Sequence, residues 1–149
     1  MTTTVLAAGV FDLLHYGHIR YLEEAKKTGG PDTRLVVIVA RDETVRRQKE
    51  TDPIIPEDQR RAVIEALRVV DEALLGFEDL DLDRVLQQVK PDIVVVGHDQ
   101  EAIKNQVEKI NKAREMQIKI VQISQFGEDD LNSSSKIKSR IVEGARKIP

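Results

Sequence analysis

Apolar runs and helix-period segments alternate along this chain. TVLAAGV (residues 4–10), RLVVIVA (34–40), VDEALLG (70–76), DIVVVG (92–97) and IKIVQIS (118–124) are short apolar runs. Strands covered on both faces of a parallel sheet read this way, without polar alternation. DIVVVG is heavily β-branched and reads as a central strand. The stretches between them have helical character. Leu82, Val85, Leu86 and Val89 recur at helical spacing. Pro56 precedes a segment with acids in its first turn, a helix-start signal. Helices are predicted over 17–28, 56–67, 82–89, 100–115 and from near Ser133 to about Ala145.

Strand–helix alternation gives right-handed βαβ units. The prediction is an α/β fold: a single Rossmann-like doubly wound domain over residues 1–149, with a five-stranded parallel sheet. Ligands of such sheets bind beyond the carboxyl ends of the strands. The segments there are GVFDLLHYGH after the first strand, ARDETVRRQK after the second, GHDQ after the fourth and DLNSSSKI after the fifth. They hold all three histidines of the chain, a basic cluster and a run of serines.

Composition removes several classes of function. The length of 149 residues suits one core-forming domain. There is no cysteine, hence no disulfide framework and no thiolate metal site. The longest apolar runs fall far short of a membrane span, and Asp12 interrupts any leader-like pattern, so a cytoplasmic location is expected. A formal net charge of −3 argues against a general nucleic-acid binder.

The turn after the first strand carries the chemistry. It has neither the G-x-x-x-x-G-K-[ST] phosphate loop nor the G-x-G-x-x-G dinucleotide fingerprint. It reads H-x-G-H, with Gly17 between His15 and His18. A glycine at a helix start lets a phosphate approach unpaired backbone N–H groups. An imidazole can donate a hydrogen bond to a phosphate oxygen without carrying a full charge.

GVFDLLHYGH resembles the signature G-[TV]-F-D-x-x-H-x-G-H of the HxGH nucleotidyltransferase (cytidylyltransferase-like) superfamily, and the similarity runs from residue 5 to about 143. ARDETV, PIIPEDQRR, GHDQ and LNSSSKI resemble most the archaeal FAD synthases (FMN adenylyltransferases), and next the glycerol-3-phosphate cytidylyltransferases. The resemblance implies transfer of AMP from ATP to FMN, giving FAD and pyrophosphate, with Mg²⁺ accompanying ATP. It also implies His15 and His18 on the triphosphate, main-chain contacts from Val10 and Phe11, and Lys49 on the phosphates from a flexible loop. Asp99 falls at a nucleotide-contact position, and Ser133, Ser134 and Ser135 match a turn that cradles phosphates. Relatives are often homodimers.

One segment departs from the cytidylyltransferase pattern. Where those enzymes carry R-T-E-G-I-S-T-T, this chain has GEDDLNSSSKI, with no arginine. Lys136 is the basic residue nearest that place. Each site residue also has a simpler reading. His15 and His18 could form a metal pair completed by His98 or Asp99. Lys49 could be a solvated loop lysine, and the serines and Asp99 could be helix caps. Asp12 reads as structural, Arg46 and Arg47 as helix-surface charges. Of Arg60 and Arg61, on an amphipathic helix, one could face the site. The aromatics available to stack on a flavin ring are Phe11, Tyr16, Tyr21, Phe77 and Phe126. The alternatives to FMN adenylylation are cytidylyl transfer to a small phosphorylated alcohol or sugar, and a non-catalytic nucleotide-binding domain.

Overall fold

The computed structural model describes residues 1–77, 81–124 and 133–147. Phe126 lies outside them. Five parallel strands form one sheet in the order β3-β2-β1-β4-β5. They are β1 (Thr3–Gly9), β2 (Thr33–Val39), β3 (Glu72–Leu75), β4 (Ile93–Gly97) and β5 (Lys119–Ile123). Six helices lie among the described residues: α1 (Tyr16–Lys27), α2 (Asp42–Lys49), α3 (Glu57–Glu65), α4 (Leu82–Val89), α5 (Glu101–Arg114) and α6 (Ser134–Arg146). The α/β doubly wound architecture is the predicted one. The middle position belongs to β1, with β4 beside it.

Successive residues of β1 feed opposite layers, as the two-residue period of a strand requires. Val5 and Ala7 join Leu22 and Ala25 of α1 and Ile64 of α3 on one face. Leu6 joins Val85 and Leu86 of α4 and Val107 of α5 on the other. Burial on both faces is the physical reason that the strand runs lack polar alternation.

Two elements depart from the sequence pattern. β3 is shorter than the apolar run 70–76, because its first two residues serve other ends. Val70 N–H closes the turn after α3 on the Leu67 carbonyl at 3.1 Å. The Asp71 carboxylate accepts from Leu35 N–H at 2.7 Å and pairs with Lys26 at 3.0 Å. The second departure is α2, which has too few apolar residues to show a stripe. Thr44 and Val45 are its buried residues, and its acids at the start and bases at the end complement the helix dipole.

Arg60 was expected at a helix surface or facing the site, and it is neither. Its side chain is fully buried. Nε donates to the Ile55 carbonyl at 2.8 Å, and Nη1 donates to the carbonyls of Val10 and Ala40 at 2.8 and 2.7 Å. Nη2 meets the Asp42 carboxylate at 2.5 Å. One guanidinium thus ties together the chain after β1, the chain after β2, the start of α2 and the loop before α3. Arg61, by contrast, is half-buried and donates to the Ala73 carbonyl at the free edge of β3. The Ala73 N–H there donates to the Glu65 carboxylate at 3.2 Å, so α3 side chains blunt that edge.

Removing the buried charge leaves its partners unpaired. Arg60→Met is expected to destabilise the protein by about 3–5 kcal/mol, as loss of one member of a buried, hydrogen-bonded ion pair does. Chemical denaturation of the two proteins measures it, and a change within about 0.5 kcal/mol would contradict this account.

Candidate active site

The turn between β1 and α1 is built against ordinary backbone preference. Phe11 and Leu13 both have φ of 55°, in the left-handed region that non-glycine residues seldom occupy. The Phe11 ring folds back over Gly9, where an added Cβ would stand 2.8 Å from it and would have to displace the ring. The same ring meets His18 edge-on, with centroids 5.4 Å apart.

The two histidines form the N-terminal cap of α1. His15 is the N-cap residue, and its Nδ1 accepts from Gly17 N–H at 3.0 Å. Reciprocally, His18 Nδ1 accepts from His15 N–H at 3.2 Å. This is a capping box in which imidazoles replace the usual Ser and Glu. The rings stack with centroids 3.8 Å apart. An Nδ1 that accepts a hydrogen bond carries no proton, so each neutral ring bears its proton on Nε2. The cap therefore leaves the Nε2–H of each stacked ring as its remaining donor.

Burial disfavours the charged form of both rings. Burial lowers the pKa of His15. That of His18 falls to about 4, chiefly through burial, with His15 and Lys49 adding to the shift and Asp12 opposing it. Lys49 is thus near enough to act on His18, although its side chain is exposed. It is not in a loop: it is the last residue of α2, which stops at Glu50, where φ is 58° and the N–H donates back to the Arg46 carbonyl at 2.8 Å.

Asp12 has the structural role its sequence position suggested. Its buried carboxylate accepts from Ile54 and Ile55 N–H at 2.8 and 2.9 Å and pairs with Lys138 at 3.4 Å. Burial alone would raise its pKa. The two N–H groups and the ammonium outweigh that and hold it below the ordinary carboxylate value. The contacts draw the loop before α3 and the start of α6 onto the histidine turn.

The serines divide their tasks. Ser133 caps α6, accepting from Lys136 N–H at 3.2 Å. The Ser134 hydroxyl donates to the Asp12 carbonyl, which leaves its main-chain N–H as what it can offer a phosphate. Ser135 is exposed. Val10 is half-buried and held through its carbonyl by Arg60. Gly17 occupies the second helical position of α1, its N–H committed to His15. Asp99 is exposed after β4, where its charge helps raise the pKa of Tyr21, after the larger effect of burial. His98 is exposed in the same turn. Among the described residues no three His, Cys, Asp or Glu side chains converge as a metal site. A groove of about 460 Å³ lies elsewhere, along β3, lined by Ile38, Leu74, Phe77 and Val85 among others.

Sequence reading missed the depth of Arg60 and the Asp12 contacts to Ile54 and Ile55. The first had a signal: Arg60, Ile64 and Leu67 share one helical stripe, so the arginine sits on the apolar face. The second had none, since residues 42 and 43 positions apart are joined by main-chain donors.

A doubly wound sheet with a histidine-capped turn at its switch point is the framework of an α/β nucleotide-binding protein. The chain belongs to the cytidylyltransferase-like family, whose model matches residues 6–140. It is 46% identical over 143 residues to the FAD synthase of Methanopyrus kandleri, covering 96% of this chain and 94% of that one. It is 44% identical over 144 residues to the FAD synthase of Methanohalophilus mahii, covering 97% of both. A crystal structure described as the lipopolysaccharide core biosynthesis protein of Thermoplasma volcanium superposes with a TM-score of 0.74. Its sequence identity is 46%, and the match covers 84% of this chain and 98% of that one.

Two outcomes are expected. His15→Asn keeps a side-chain acceptor for the cap but loses the distal donor. It should retain the melting temperature within a few degrees while turnover drops roughly 10²-fold, the usual cost of one charge-stabilising donor. His18→Ala should lose at least as much. Full turnover in both would remove the histidines from the chemistry. The second outcome concerns acid. The unfolded chain protonates His18 near 6.5, before the native state does near 4. Its contribution to stability is therefore complete above pH 6.5 and lost as pH falls toward 4. His18→Asn should flatten that part of the profile in denaturant titrations. An unchanged slope between these values would show that His18 does not report there.

Proposed function

We propose that this chain transfers AMP from ATP to FMN, forming FAD and pyrophosphate. The pair of fixed Nε2–H donors at the carboxyl end of β1 is the observation that supports the chemistry. The relatives named FAD synthase support the acceptor.

In this reading a phosphate oxygen of FMN attacks the α-phosphorus of ATP. A phosphorus–oxygen bond forms, the bond from the α-phosphorus to its bridging oxygen breaks, and pyrophosphate leaves with the electron pair. The attacking phosphate is already anionic, so no strong base is needed. Catalysis is then alignment and neutralisation of charge developing on the phosphoryl oxygens. His15 and His18 donate to those oxygens, and Lys49 adds a full positive charge beside them. The N–H groups at the start of α6, with Ser133, Ser134 and Ser135, face the β- and γ-phosphates, favoured by the helix dipole. Val10, Phe11 and Gly17 shape the backbone around the phosphates, and Asp99 contacts the nucleotide. Mg²⁺ supplies further neutralisation of the triphosphate. As the companion of ATP it would be held through the triphosphate oxygens.

The reading includes a cytoplasmic enzyme that acts as a homodimer. No helix among the described residues is long and apolar enough to cross a membrane.

The test is a matrix of ATP and CTP against FMN, glycerol 3-phosphate and several sugar phosphates, with Mg²⁺ and pyrophosphate release as readout. ATP with FMN should give FAD and far exceed the other pairs. A wrong base or acceptor leaves buried polar groups unpaired, which can discriminate strongly. Turnover confined to CTP and glycerol 3-phosphate would assign a cytidylyltransferase. ATP binding without pyrophosphate from any acceptor would assign a non-catalytic domain.

A further inference from the structure

The sheet splits at its switch point, and one side chain spans the split. β1 pairs with β2 along its whole length, to Gly9 opposite Val39. β4 pairs with β5 to its end, Gly97 opposite Ile123. Between the two halves, β1 pairs with β4 only from Val5–Ile93 to Ala7–Val95. Beyond that rung Gln100 takes over. Its Oε1 accepts from Gly97 N–H at 2.8 Å, and its Nε2 donates to the Ala8 carbonyl at 2.9 Å.

A primary amide offers the same donor and acceptor as a peptide group, so Gln100 continues the ladder with an inserted rung. Two hydrogen bonds and an amide stand where one hydrogen bond would otherwise join the strands. The strand ends are held apart by that thickness. Tyr21 supports the wedge from α1: its hydroxyl donates to the Val95 carbonyl at 3.1 Å and lies 3.5 Å from Gln100 Oε1. Gln100 is also the N-cap residue of α5, yet its side chain makes no cap bond, because it is engaged across the sheet. The geometry is confined: a Cβ on Gly97 would meet Asp99 Oδ1 at 3.3 Å and Gln100 Oε1 at 3.6 Å.

We infer that Gln100 is a positioning residue that sets the width of the nucleotide crevice between β1 and β4, and through it the affinity for ATP. The inference rests on the nucleotidyl-transfer reading. The crevice lies between the turn that carries His15 and His18, which follows β1, and the turn that carries Asp99, which follows β4. The wedge fixes the distance between those turns, and none of the donors proposed for the phosphates belongs to it. Changing it should alter how the nucleotide is held far more than how the bond breaks.

Three variants test this. Gln100→Glu keeps an acceptor for Gly97 N–H but turns an oxygen toward the Ala8 carbonyl. Gln100→Met keeps the length and loses both bonds. Tyr21→Phe keeps the packing and loses the supporting hydroxyl. For Gln100→Glu and Gln100→Met the KM for ATP should rise about 10-fold or more, with kcat changed less than about 3-fold and KM for FMN unchanged. Tyr21→Phe should shift the same quantities in the same direction by about 2–3-fold, and it carries the test if either Gln100 variant does not fold. Equilibrium titration with a non-hydrolysable ATP analogue gives the same answer with no acceptor present, so failure of the FMN assignment is read separately from failure of the wedge. Unchanged ATP affinity in the folded variants would overturn the inference, as would a fall in kcat alone.

Discussion

A parallel sheet ends in carbonyl groups that have no further strand to bond, and it ends that way at the place where chemistry must be done. In this chain the buried guanidinium of Arg60 resolves the problem for two of the strands. It takes up the carbonyls of Val10 and Ala40, just beyond β1 and β2, and that of Ile55 from the loop before α3. A lysine could not replace it, because a guanidinium spreads its donors across a rigid plane and can reach several acceptors at once. Asp42 neutralises the buried charge, without which its desolvation would be costly. The left-handed backbone at Phe11 and Leu13 lies directly after one of these anchored carbonyls. Strain of that kind persists only where surrounding contacts over-determine the chain.

The histidine turn uses the same economy of groups. Each imidazole has two nitrogens, and in this turn they have separate tasks. The Nδ1 atoms cap α1 and depend on the neutral state. The Nε2 atoms are then donors by necessity. Stability and chemistry thus draw on the same tautomer, and the low pKa of His18 protects both. A serine–glutamate box would cap the helix equally well, but it would leave no fixed donor pair beyond the cap.

The sheet and most helices were legible because burial on both faces leaves a plain signature in runs such as DIVVVG. α2 was hard to see because a short helix with two buried residues has no stripe to read. In the candidate site, the histidine turn and the serine turn were legible as local motifs at strand ends. What escaped was every feature that joins distant segments. In sequence Arg60 reads as facing the site or solvent, and not as buried, since a charged residue on a helix is seldom fully buried. The division of labour among the serines depends on the Asp12 carbonyl, which lies 122 positions from Ser134. Gln100 looked like the end of a turn motif, and nothing in GHDQ says that its amide crosses to β1.

Those hidden connections share a target, the end of β1. Arg60 holds it from the β2 side through the Val10 carbonyl, and Gln100 holds it from the β4 side through the Ala8 carbonyl. Gly9, between these two anchored residues, lies beneath the Phe11 ring, and that ring meets His18 edge-on. A displacement of the Val10 anchor is therefore passed toward the imidazoles through main chain and one aromatic contact, whereas the Gln100 bond to Ala8 sets the spacing of β1 from β4. The two anchors differ in what they can tolerate. Arg60 is a buried charge whose loss leaves Asp42 unpaired, so its failure is one of folding. Gln100 is neutral and half-buried, with its bonds made to the main chain of two strand ends, so its failure is one of spacing. Stability and nucleotide affinity can for that reason be separated by mutation, although both anchors act on the end of one strand.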